Sequence, residues 1–63
     1  MKNFADFKEN LDLGLIAYEA RQKAIREADE KSDDESWDLF VREGTMAYFT
    51  MDVLRRYHEW LSN

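Results

Sequence analysis

Sixty-three residues carry 14 acidic and nine basic side chains, for a formal net charge of −5, with no cysteine and no proline. Such a chain forms one small domain, near the size at which a lone core barely offsets chain entropy, and it has no disulfide or zinc-type spacing to help. The acidic balance opposes nonspecific attachment to a phosphate backbone, and 44% hydrophobic content is too rich for a disordered tail.

No apolar run approaches the roughly 20 residues of a membrane span, and no basic stretch with an apolar signal core opens the chain. The expectation is a cytoplasmic chain with no membrane contact. Zero proline and only two glycines favour an all-α fold as a single helical domain over residues 1–63.

The first predicted element is a helix over about residues 3–31. Asn3 is its expected N-cap, and Phe4, Phe7, Leu11, Leu15, Tyr18 and Ile25 recur at three- and four-residue steps. A second stripe, Leu13, Ala17, Ala20, Ala24 and Ala28, lies roughly 130° around the same helix. Its small side chains allow another backbone to come close. Two apolar faces on one helix imply two neighbours, either later helices of the chain or a second copy.

Residues 32–34 are the predicted turn. Ser32 followed three residues on by Glu35 matches a capping box, so a second helix is expected over about 35–62. Within it, Trp37, Phe40 and Val41 centre on one direction, whereas Met46, Phe49, Val53, Leu54, Tyr57, Trp60 and Leu61 centre roughly 130° away. A heptad drifts only about 20° against a straight helix, so drift does not explain the change of phase.

Gly44 sits at that change, where it suits a left-handed helix end, with Thr45 able to cap a new helix. The favoured architecture is a long helical hairpin kinked or broken near Gly44, and the alternative is a three-helix bundle. Positions 37, 40, 44, 47, 51, 54, 58 and 61 also follow a heptad. A hairpin alone cannot bury this much apolar surface, so two copies are expected to pair as a four-helix-type bundle. Leu11, Leu15, Ala17, Tyr18, Ala24, Trp37, Phe40, Tyr48, Met51, Leu54 and Leu61 are the candidate core and dimer residues.

Chemistry is sparse along this chain. His58 is the only histidine, and its neighbour Glu59 points about 100° away on a helix, so the two do not share a site. No nucleophile has a visible base, and no glycine loop suited to phosphate is present. No enzymatic activity, cofactor or metal is therefore expected.

Seven acidic residues between Glu27 and Asp38 gather at the hairpin tip with one lysine. Glu30, Asp33, Asp34, Glu35 and Asp38 are candidate partner-binding residues for a basic surface, as are Tyr57 and Trp60 as aromatic anchors. The expected function is a small non-catalytic inhibitor or adaptor, homodimeric, acting on a larger protein partner. Acidic chains of this size are common products of phages and plasmids. One alternative is a DNA-mimicking inhibitor that presents the acidic tip to a nucleic-acid-handling enzyme. Another is a regulator whose dimer gathers Arg21, Lys23 and Arg26 on one face, although nucleic acid is not the expected direct ligand.

Overall fold

A computed structural model describes residues 2–62. Three helices follow one another: α1 (Phe4–Glu9), α2 (Leu13–Lys31) and α3 (Trp37–Ser62), with no strand among the described residues. The all-helical class agrees with the periodicity. Two of the three helices, α2 and α3, pack against each other along the chain's main contact.

The single helix expected over 3–31 is instead broken at residues 10–12. Asn3 does cap α1, its side-chain oxygen accepting from the Ala5 N–H at 2.9 Å. Seven residues later Asn10 ends that helix, its side-chain amide donating to the Asp6 carbonyl at 2.8 Å. Asp12 then caps α2, Oδ1 accepting from the Leu15 N–H at 3.0 Å. Short polar side chains that bond to nearby backbone compete with helix interiors and favour ends. Asn10 and Asp12 together outweigh the continuous apolar spacing that spans them.

The second turn also differs from the expected capping box. Ser32 closes α2, donating its hydroxyl to the Ala28 carbonyl at 2.6 Å. Asp33 serves the N-terminal side of α3 by accepting from the Ser36 N–H at 2.8 Å. The cap has moved one residue along because Ser32 is already engaged by the preceding helix.

Gly44 lies inside α3, which runs without interruption from Trp37 to Ser62. Its backbone is not in the left-handed region, and the Thr45 hydroxyl donates to the Val41 carbonyl at 2.6 Å, so it does not cap a new helix. The role of this glycine is close approach: a Cβ at Gly44 would stand 3.0 Å from the Ala24 Cβ on α2. The alanine stripe thus faces α3, with Ala20, Ala24 and Ala28 buried alongside Ile16. Ala24, Ala28 and Val41 form the central cluster, against which Ile25, Trp37, Phe40 and Tyr48 pack.

The two apolar directions on α3 are explained by two neighbours rather than a break. Near its start α3 meets α2 through Trp37, Val41 and Tyr48. Near its end it meets α1, because the antiparallel hairpin brings the start of α2, and α1 before it, beside the end of α3. Phe7 of α1 lies 5.1 Å from the Tyr57 ring and 5.3 Å from the Trp60 ring, centroid to centroid. Offset and edge-to-face aromatic pairs of this kind add to simple area burial.

Candidate interaction surfaces

Two cross-helix hydrogen bonds lock α2 to α3 at the tip end of the hairpin. The Tyr48 hydroxyl donates to the Glu27 carboxylate, and the Trp37 indole N–H donates to Asp29 Oδ1 at 2.8 Å. Lys23 stands over the Tyr48 ring, 5.8 Å from its centroid, where the ring face attracts a cation. Neither polar contact was legible in the spacing, since both join residues brought together only by the fold.

These bonds divide the acidic tip. Glu27 and Asp29 belong to the hairpin's internal structure, and Asp33 belongs to the turn. The N–H of Ser36 holds the Asp33 carboxyl below its ordinary range, with the Ser36 side chain assisting. Glu30, Asp34, Glu35 and Asp38 are exposed. No hydrogen bond or ion pair engages these four side chains among the described residues.

Farther along α3, Asp52 joins Arg55 and Arg56, the latter at 3.0 Å, and Arg55 reaches Glu59 at 3.1 Å. Arg55, and then Arg56, hold the Asp52 carboxyl below its ordinary range, while Asp52 raises Arg55. Of the favourably spaced pairs Glu19–Lys23, Glu27–Lys31, Asp38–Arg42 and Asp52–Arg56, only the last closes to an ion pair among the described residues. Glu27 and Lys23 turn to Tyr48 instead.

Tyr57 and Trp60 form the aromatic end of α3. Their rings stack 5.9 Å apart beneath Phe4 and Phe7, and Lys2 covers Trp60 at 5.2 Å while donating to its carbonyl. Both aromatics are half-buried by α1, so the closed structure presents only part of each ring.

Apart from Phe4 and Leu13, the large apolar side chains left outside fall on three sides. Leu15 and Tyr18 point away from the hairpin on α2, 50% and 62% exposed, so of the two apolar faces expected on this helix it is the alanine stripe that takes α3 as its neighbour. Leu39 and Met46 lie on one side of α3. On its other side, half-buried Phe40 is followed by exposed Ala47, Met51, Leu54, His58 and Leu61. Apart from Phe40, which also packs against the α2 cluster, this last row consists of heptad positions not used against α2.

Beside that row, a groove of about 290 Å³ is lined by Glu27, Phe40, Glu43, Gly44 and Ala47. Of the remaining candidate core residues, Ala24 is buried, and Leu11, Ala17, Trp37, Phe40 and Tyr48 are half-buried. Ile16, 2% exposed, is the most enclosed large side chain. It stood on neither apolar stripe read from the sequence, yet it is four residues before Ala20, which places it at the end of the alanine row.

Arg21, Lys23 and Arg26 do not share one face. Arg21 lines a groove with Trp37, Asp38 and Arg42, whereas Lys23 and Arg26 lie on the opposite edge with Glu19 and Gln22. Among the described residues no helix is long and apolar enough to cross a membrane. Among the described residues no cluster of three or more histidine, cysteine or acidic side chains is arranged to hold a metal ion. Comparison with models of known protein families, with curated proteins and with solved structures finds no match for the chain.

Proposed function

We propose that this chain is a small non-catalytic interaction module that works as a homodimer and docks a basic surface of a larger protein through its acidic tip, as an inhibitor or adaptor. The observation that carries this reading is the amount of surface the chain leaves uncovered. It exposes 5141 Å², whereas a compact monomer of 7.6 kDa exposes about 4,300 Å². The excess, roughly 850 Å², is close to the ~800 Å² that each partner contributes to a standard protein interface. The shape agrees, with a radius of gyration of 14.3 Å against about 11 Å for a compact chain of this length.

Glu30, Asp34, Glu35 and Asp38 supply the docking charge in this reading. They sit at one end of a long molecule, remote from the Asp52–Arg55–Arg56 network, and none of the four is held in an ion pair among the described residues. Presentation of these carboxylates to a nucleic-acid-handling enzyme in place of phosphates is one form such docking takes.

The test is affinity capture of partners by the wild-type chain and by an Asp34→Lys/Glu35→Lys variant, side by side, with circular dichroism on both. The expected result is unchanged helicity with loss of a partner that the wild type retains. A partner retained equally by the variant places docking elsewhere and overturns the role of the tip. Loss of helicity would make the tip structural and overturn it as well.

A further inference from the structure

We infer that the row Phe40, Ala47, Met51, Leu54 and Leu61 on α3 is the seam of an antiparallel homodimer, in which Leu54 of each chain enters the groove beside Gly44 of the other. The assignment rests on the homodimeric reading above and names the surface and the direction of pairing. Four observations on the structure carry it.

First, the row is apolar at heptad spacing, as a helix-to-helix seam requires. Met51 is 65% exposed, Leu54 61% and Leu61 50%, so the hairpin itself does not use them. Second, the chain as a whole exposes roughly 850 Å² more than a compact monomer of its mass, about the area one protomer contributes to a standard interface.

Third, the shapes along the row complement each other in one direction. Large residues gather toward the C-terminal end of α3, and small ones toward its first half, where Gly44 and Ala47 floor the groove lined by Glu27, Phe40 and Glu43. Pairing α3 antiparallel about the level of Phe49 sets Ala47 against Met51, Gly44 against Leu54 and Phe40 against His58 of the second copy. Each of the first two layers then holds one small and one large side chain, and a leucine knob meets a preformed hole. A parallel pairing would set Gly44 against Gly44 and Ala47 against Ala47, leaving a gap there and crowding at Leu54.

Fourth, the charges beside the row agree with the same direction. Glu27, which accepts from Tyr48, flanks the groove, while Arg55 follows Leu54 and, although it pairs with Asp52 and Glu59 within its own helix, keeps 59% of its side chain exposed. Antiparallel pairing brings Arg55 of the second copy, carried beside its Leu54, to Glu27. Two-fold symmetry repeats the contact at the other end. The seam thus has an apolar centre and a rim of opposite charges, the usual anatomy of a specific interface.

Light scattering over a dilution series gives the first readout, and cysteine cross-linking gives the second. The chain has no cysteine of its own, so Ala47→Cys and Met51→Cys chains can be mixed and oxidised. The expected outcome is a mass twice 7.6 kDa, weakened on the order of 100-fold or more by Leu54→Glu, which forces a charge into an apolar contact. Disulfides should form mainly between the two different variants.

Because Leu54 is exposed in the single chain, the glutamate variant keeps its helicity, and dichroism on the same samples verifies that. Disulfides mainly between like variants would overturn the antiparallel direction. A dimer unaffected by Leu54→Glu would overturn the seam while leaving the homodimeric reading intact, with the Leu15–Tyr18 face as the surface used. A monomer at every concentration would remove the homodimeric reading itself.

Discussion

At the scale of single residues, the most consequential position is Gly44. Glycine inside a helix costs about 1 kcal/mol relative to alanine, and here it permits the α2 backbone to approach at Ala24. A side chain at this position meets a Cβ fixed directly to a neighbouring helix, which gives only if the helices separate. Gly44→Leu is therefore expected to destabilise the hairpin by about 2 kcal/mol or more, a drop in Tm on the order of 10 °C for a chain of this size. Thr50→Leu, on the exposed side of α3, serves as the control and should shift Tm by only a few degrees. Thermal melts followed by circular dichroism decide the matter, and equal melting of the two variants would remove the close-approach role.

At the scale of elements, α1 is the part whose position depends most on a single side chain. It has six residues, too few to hold a helix in isolation, and Phe7 is its only buried residue. Replacing Phe7 by alanine removes the ring that touches both Tyr57 and Trp60. The expected outcome is detachment of α1 with the α2–α3 hairpin intact. In a Trp37→Phe background, the emission of Trp60 should shift to the red while helicity falls only by the share of α1. Loss of all helicity together would show α1 to be integral to the hairpin core. The Gly44 region behaves in the opposite sense, since the bonds from Tyr48 to Glu27 and from Trp37 to Asp29 bind α2 and α3 on either side of it.

At the scale of the whole molecule, charge sets the response to acid. Asp33 and Asp52 both have folded pKa values held below the ordinary carboxylate range, Asp33 chiefly by the Ser36 backbone N–H and Asp52 chiefly by Arg55. Because the folded values are depressed, the stability these groups contribute is present above the unfolded carboxylate pKa and is lost as pH falls through the folded values. The window lies below about pH 4. Over the same range the formal charge moves from −5 toward about +10, as nine basic side chains and one histidine lose their acidic counterparts.

Helicity measured against pH should accordingly hold through neutrality and fall at the acid end. An Asp33→Asn/Asp52→Asn variant should be less stable at neutral pH and show a shallower acid limb. An acid limb of unchanged steepness would mean that these two groups do not govern it.

The sequence by itself determined the helical class, the polar turn near residue 32, the Asn3 cap and the acidic concentration at one tip. Each of these follows from neighbours within about four residues, the range over which periodicity, capping and helix pairing act. It also showed that α3 carries more apolar surface than one neighbour covers, because the angle between its two apolar groups is a property of the helix alone.

Only the tertiary structure decided which neighbour each apolar face receives. Apolar spacing runs unbroken across Asn10–Asp12, so the turn that sends α1 onto Tyr57 and Trp60 depends on local polar bonds winning over periodicity. Gly44 reads equally well as a helix end and as a contact point until Ala24 is seen 20 residues away in the chain and within van der Waals reach in space. The inner position of the alanine row, with Leu15 and Tyr18 outside, likewise comes from packing: small side chains let the two long helices approach closely, and that closeness forces the larger ones outward.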